Sequence, residues 1–206
     1  MKRLATALVL IPLVVWLILA APRWAFIAAL IVVGGLALRE AIGIGKNAVV
    51  SAIGGAVYVG GAWVCAYNLR GVNPHWLLFA FLLCWAGDTA ALYIGKNFGR
   101  HKMAPAISPG KTWEGAIGSV VGGVLVGAVY AHYLIPGAPL TMVLIIGTVG
   151  NIAGQVGDLV ESAYKRWGGV KDSGSSLPGH GGWLDRIDSS LLAIPTVYAM
   201  VRLIDV

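Results

Sequence analysis

The stretch KRWGGVKDSGSSLPGHGGWLDRID, residues 165–188, holds the kinds of side chain that handle phosphate esters. Lys165, Arg166, Lys171 and Arg186 supply cationic donors suited to phosphate oxygens. Gly168, Gly169, Gly174, Gly179, Gly181 and Gly182 permit positive φ and close backbone approach, as nests of amides around an anion require. Asp172, Asp185 and Asp188 are hard oxygen ligands. With Asp158 upstream they form a candidate Mg²⁺ set, since magnesium takes a carboxylate or two and completes its shell with substrate phosphates. His180, between two glycines, is a candidate phosphate donor or base. No His/Cys cluster indicates zinc, and no Ser or Cys nucleophile stands beside an obvious base. Cations, pliant backbone and carboxylates together indicate phosphate chemistry with a divalent metal.

A second stretch, GDTAALYIGKNFGRHKMAPAISPGKTWEG, covers residues 87–115. Its Gly110-Lys111-Thr112 resembles the end of a P-loop, but the glycine needed five residues earlier is Pro105, so that reading fails. Ser108-Pro109 instead predicts a turn feeding a helix, with Thr112 as N-cap and Glu114 in the first turn. Helix N-termini favour anions, and Lys96, Arg100, Lys102 and Lys111 crowd the same place.

The elements that position these stretches are set by hydropathy. Of the 206 residues, 58% are hydrophobic and only 12% charged, with a mean hydropathy of +0.80, well below the ~25% charge of a soluble domain. Seven apolar runs, 4–21, 24–42, 48–69, 74–95, 114–135, 139–161 and 188–204, come near the ~20 residues that cross a bilayer, and they lack barrel-strand alternation. The expected fold is all-α, a polytopic integral-membrane bundle of about seven transmembrane helices with a cytoplasmic N-terminus. The first run is expected to be a retained helix rather than a cleaved leader. Residues 1–84 form an N-terminal scaffold, dimer or lipid-access region, and 85–206 a catalytic region with polar loops 96–113 and 165–187. Cys65 and Cys84, both in apolar runs, are expected to be packing residues.

The net charge of +6 does not indicate nucleic acid. With alternating loops, only Arg23, Arg70 and Arg202 of the 15 Lys and Arg fall outside, and this positive-inside bias places both polar loops in the cytoplasm. Seven of the nine acids lie in or beside those loops, all but Glu40 and Asp205. Asp88 and Asp158 sit within apolar runs, where a carboxylate is costly and functional by default. Asn151, Gln155, Asp158, Ser162 and Lys165 share one helix face, read here as the wall along which a lipid headgroup approaches. A stripe of Gly147, Gly150, Gly154 and Gly157 beside it allows close helix packing.

Two blocks carry a family resemblance. Ser162-x-x-Lys165-Arg166, Lys171-Asp172-x-Gly174 and Leu177-Pro178-x-His180-Gly181-Gly182-x-x-Asp185-Arg186-x-Asp188 resemble the signature of phosphatidate cytidylyltransferases (CDP-diacylglycerol synthases). Gly87-Asp88-Thr89-Ala90 and Ser108-Pro109-x-Lys111-Thr112-x-Glu114-Gly115 resemble that family's other shared block. Tyr164 and Trp183 depart from it, standing where an aliphatic residue or Phe is usual, as does Gly110, where a second lysine is common.

The resemblance implies condensation of CTP with phosphatidic acid to CDP-diacylglycerol and pyrophosphate, in a bacterial inner membrane, with the site facing the cytoplasm. It implies Mg²⁺, with a second cation such as K⁺ admitted, a homodimer and no nucleic-acid partner. It implies a metal centre on Asp158 and Asp185, with Asp188, Asp172 and Asp88 nearby. Lys165, Arg166, Lys171, His180 and Arg186 are the expected catalytic groups. Ser108, Lys111, Thr112, Ser162, Gly181 and Gly182 are the expected substrate contacts. An ion-coupled transporter would explain Asp88 and Asp158 but not two cationic loops. A CTP-dependent polyprenol kinase shares only the upstream block, and an archaeal-type CDP-archaeol synthase would run the same reaction on an ether lipid.

Overall fold

The computed structural model of the chain describes residues 2–176 and 181–204, with side chains from residue 8 onward. The described residues form eight helices and one hairpin: α1 (Lys2–Leu19), α2 (Arg23–Ile44), α3 (Ala48–Val72), α4 (Pro74–Phe98), β1 (Lys102–Ala104), β2 (Ser108–Thr112), α5 (Trp113–Leu134), α6 (Leu140–Trp167), α7 (Leu184–Ile187) and α8 (Ser190–Leu203). The expected helical bundle is what forms.

Local chemistry sets the helix starts. Asn47 Oδ1 accepts the amides of Val49 and Val50 at 3.0 and 3.1 Å, capping α3. Asn73 Oδ1 accepts the His75 amide at 2.9 Å with Pro74 in the first turn of α4. Thr112 Oγ1 accepts the Gly115 amide at 3.1 Å, making it the N-cap its sequence predicted. Connections this short force consecutive helices antiparallel.

Five helices, α2 through α6, are long and apolar enough to cross a membrane. Their outer faces are apolar, with Leu92, Val129 and Val57 exposed as lipid-facing side chains are. The core forms where α4, α6 and α8 meet, and Trp76, Phe79, Leu83, Ile146, Ile194 and Val197 are fully buried there. Close approach of α4 and α5 needs small residues: a Cβ at Gly123 would sit 2.7 Å from both Leu83 O and Asn151 Nδ2.

Two expectations change. Residues 96–113, expected as loop, contain the antiparallel hairpin β1–β2, with Lys102 opposite Thr112 and Ala104 opposite Ser108. A two-stranded hairpin is marginal alone. This one is clamped by Glu114, which accepts the His101 amide and pairs with its ring at 2.6 Å. The end of the second polar loop also turns back between the helices. A Cβ at Gly157 would meet Asp188 O at 2.7 Å and one at Gly154 would meet Ser189 O at 3.5 Å, and both glycines lie mid-way along α6. Helix α8 therefore begins part-way through the bundle, and its 14 residues span only about 21 Å of the ~30 Å hydrocarbon core. Irregular backbone at such depth is tolerated where protein buries it or a cavity solvates it.

At the opposite end Arg70 closes the bundle. Its Nε donates to Ile18 O at 2.7 Å, its Nη2 donates to Ala21 O, and the guanidinium lies 4.7 Å from the Phe26 ring centroid. Arg70→Met should free the α1–α2 turn and cost about 2 kcal/mol, the worth of a charge-assisted hydrogen bond or two. That corresponds to a thermal midpoint roughly 4–8 °C lower in detergent-solubilised protein. An unchanged midpoint would show the clamp to be idle.

Candidate functional site

Helices α4 and α6, strand β2 and the segment before α8 bring the acids and cations together in two adjoining groups. In the first, Lys111 Nζ on β2 lies 2.6 Å from Asp158 Oδ2 on α6. Ser162 Oγ, one turn further along α6, donates to Asp158 Oδ1 at 3.3 Å. Asp88, Ser108, Lys111, Thr112, Gln155 and Asp158 line one cavity of about 360 Å³, within the size range of ligand pockets. Asp188, just before α8, feels the charge of Asp158, Asp88 and Lys165, and Asp88 feels that of Lys111 and Arg186. Asp88 and Asp158 thus share one cavity with Lys111, an excess of acid there that a cation would relieve.

The second group is built on Lys165. Its Nζ donates to Asp185 Oδ1 at 2.6 Å and lies 2.5 Å from Glu161 Oε2. The Glu161 contact is a charge pair without hydrogen-bond angles, and neither Glu161 oxygen has a hydrogen-bond partner among the described residues. Asp185 Oδ2 accepts the Ser173 amide at 3.0 Å, the Ser173 hydroxyl at 3.0 Å and the Gly182 amide at 2.8 Å. Burial opposes ionisation of Asp185, but the Lys165 ammonium and the two amides outweigh it and hold the carboxyl below its ordinary range. Gly181 has φ +79°, and a Cβ there would sit 2.6 Å from Asp185 Oδ2, so glycine is required twice over.

The expected site residues therefore divide. Asp88, Asp158, Asp188, Ser108, Lys111 and Ser162 belong to the first group, and Lys165, Asp185, Gly181 and Gly182 to the second. Asp158 and Asp185, expected to share an ion, share no partner among the described contacts. Thr112 is buried, its hydroxyl taken up by capping. Arg166 spends its guanidinium on carbonyls, Nε on Ile107 O at 3.1 Å and Nη1 on Val170 O at 3.0 Å, and so ties the hairpin to the end of α6. Lys171, Asp172 and Arg186 are exposed. His180 lies outside the described residues.

The polar stripe of α6 does two jobs rather than one. Asn151, 3% exposed, donates to Leu83 O at 2.9 Å and accepts from Ser119 Oγ and Gln155 Nε2, joining α4, α5 and α6. That end is interhelical glue, not a wall for a lipid headgroup. Of the stripe, Gln155 and Asp158 line the cavity. Tyr164, one of the departures from the family pattern, donates its hydroxyl to Ala41 O at 2.7 Å and so links α6 to α2.

Glu161, Ser173 and Glu40 were not singled out from sequence. Glu40 had a usable signal: it is a carboxylate inside an apolar run, the property that marked Asp88 and Asp158.

The fold defines an integral-membrane helical bundle with carboxylates and lysines gathered at one end of its helices. Residues 50–204, most of the chain, match the Cytidylyltransferase family, and the chain belongs to it. It is 45% identical over 138 residues to a phosphatidate cytidylyltransferase of Staphylococcus saprophyticus, a match covering 67% of this chain and 53% of the relative. Proteins of the same name from Staphylococcus haemolyticus and Staphylococcus aureus are 44% and 43% identical, with the same 67% and 53% coverage. The chain spans about half the length of the curated relatives it matches.

Proposed function

We propose that this chain carries the cytidylyl-transfer site of a phosphatidate cytidylyltransferase. A phosphate oxygen of phosphatidic acid attacks the α-phosphorus of CTP, the α–β bridging P–O bond breaks, and pyrophosphate leaves with the electron pair. The products are CDP-diacylglycerol and pyrophosphate. The observation that carries this reading is the Lys111–Asp158 pair at 2.6 Å, on the rim of a cavity whose other polar lining includes Asp88, Ser108 and Gln155. A cation and several acids at the edge of an apolar bundle suit two anionic reactants, one arriving from water and one from the bilayer.

The difficulty of the reaction is electrostatic, because a lipid phosphate and a triphosphate repel each other and charge builds on the departing pyrophosphate. Lys111 and Lys165 would offset the reactants' charge, and the exposed Arg186 and Lys171 would draw phosphates in. Among the described residues no three His, Cys, Asp or Glu are grouped as a ready cage for a metal. That suits Mg²⁺, which makes up its octahedron from substrate phosphates and water around one or two carboxylates. Asp158, with Asp88 or Asp188, would hold it, and bound there it would neutralise phosphate charge and stabilise the leaving group. We also propose a homodimer in a bacterial inner membrane; the distribution of Lys and Arg supports a cytoplasmic side for the hairpin and residues 168–176.

Radiolabelled CTP offered to the purified protein with phosphatidic acid should place label in the lipid phase, and only with Mg²⁺ present. A lipid product bearing only the terminal phosphate of CTP would show a kinase, and no lipid product would remove the proposal.

A further inference from the structure

Glu40, on α2, lies ahead of the residues that match the family and is 9% exposed. Its carboxylate accepts from Ser173 Oγ at 2.9 Å, Ser176 Oγ at 2.7 Å and the Leu184 amide at 3.0 Å. The two serines precede residues 177–180 in sequence and Leu184 follows them, so one carboxylate holds both flanks. Among the described residues no cation pairs with Glu40. Its burial is compensated by hydroxyl and amide donors, all from this one segment.

The backbone is shaped to this grip. A Cβ at Gly174 would sit 2.8 Å from Glu40 Oε1, and one at Gly182 would collide with Glu40 Oε2 and Ser173 Oγ. The Ser173 hydroxyl lies 2.9 Å from Glu40 Oε2 and 3.0 Å from Asp185 Oδ2, so its single proton serves two acceptors. Asp185 in turn holds Lys165 at 2.6 Å. A continuous line of contacts therefore runs from α2 through Ser173 and Asp185 to the lysine on α6.

The geometry points to Glu40 as a positioning residue that tethers Ser173, Ser176 and Leu184 to α2 and so sets Asp185 and Lys165, without itself touching substrate. This rests on the cytidylyl-transfer reading. A tether of this kind needs acceptor oxygens in the right place, not a negative charge. Gln can meet that need, with its carbonyl oxygen facing Ser173 and Leu184 and its amide nitrogen donating to the Ser176 hydroxyl.

In the full-length protein Glu40→Ala is expected to lower kcat about 10- to 100-fold, as loss of a supporting partner does, with the KM for CTP unchanged. Glu40→Gln should retain most of the wild-type rate. Gly182→Ala should be damaging in the wild type and less so in a Glu40→Ala background, because removing Glu40 relieves one of the two collisions and leaves the one with the Ser173 hydroxyl. Amide hydrogen exchange at Ser173, Gly182 and Leu184 should rise in Glu40→Ala and not in Glu40→Gln. Glu40→Gln as damaged as Glu40→Ala would overturn the inference in favour of a charge role, and so would wild-type rate and exchange in Glu40→Ala. Should Glu40→Ala not fold, Glu40→Gln and Gly182→Ala carry the test. A wild type without transfer activity, together with faster exchange in Glu40→Ala, would count against the proposed reaction and support the tether alone.

Discussion

Asp158→Asn is expected to abolish most CMP transfer while leaving the protein folded. The magnitude follows from what the carboxylate supplies. Stabilisation of transition-state charge by a bound cation is worth several kcal/mol, and each ~1.4 kcal/mol is tenfold, so the loss should be on the order of a thousandfold. The cost in stability is a separate quantity. The side chains of Lys111 and Asp158 are 25% and 27% exposed, and ion pairs open to solvent contribute roughly 0–1 kcal/mol. A midpoint shift of a few degrees at most is therefore expected beside a rate change of orders of magnitude. The Mg²⁺ concentration for half-maximal residual rate should also rise. Transfer from CTP near the wild-type level in folded Asp158→Asn would remove Asp158 from the centre of the mechanism.

The sequence made the helices legible because hydropathy in lipid is a strong one-dimensional signal, and α1 to α6 begin and end within a few residues of the apolar runs. Caps were legible for the same reason of locality: Thr112 and the amide it accepts are three residues apart. The membership of the site was partly legible. Asp88, Lys111, Asp158 and Lys165 announce themselves as charges in or beside apolar sequence, and the structure brings them to one end of the bundle. Their pairing was not legible. Asp158 with Lys111 and Asp185 with Lys165 are distinguished by which helix faces which, and periodicity along one helix does not report that. Glu40 shows the limit most clearly: its partners Ser173 and Ser176 are 133 and 136 residues away. The starting depth of α8 was hidden too, because its run follows on from Asp188 and hydropathy does not reveal the depth at which a helix begins.

The two acids should separate experimentally. Asp185→Asn is expected to be destabilising as well as slow, in contrast to Asp158→Asn. Side-chain exposure is 8% for Asp185 and 11% for Lys165, and breaking a buried pair by removing one partner costs about 3–5 kcal/mol. Glu161 remains 2.5 Å from Lys165, so the lower end applies, which corresponds to roughly 6–12 °C in a protein of this size. Asparagine cannot rescue the site in either orientation. With its oxygen toward Ser173 and Gly182, its amide hydrogens meet the Lys165 ammonium; turned around, they meet two backbone N–H groups. In a double-mutant cycle, Lys165→Met should couple to Asp185→Asn only in part, because it also takes from Glu161 the cation that lies 2.5 Å from its carboxylate. The Mg²⁺ requirement of the residual activity should stay at its wild-type value in Asp185→Asn, since the carboxylate is committed to lysine, hydroxyl and amides. A raised Mg²⁺ requirement equal to that of Asp158→Asn would instead place both carboxylates on one ion, and would mean that the Lys165 pair gives way when substrate and metal bind.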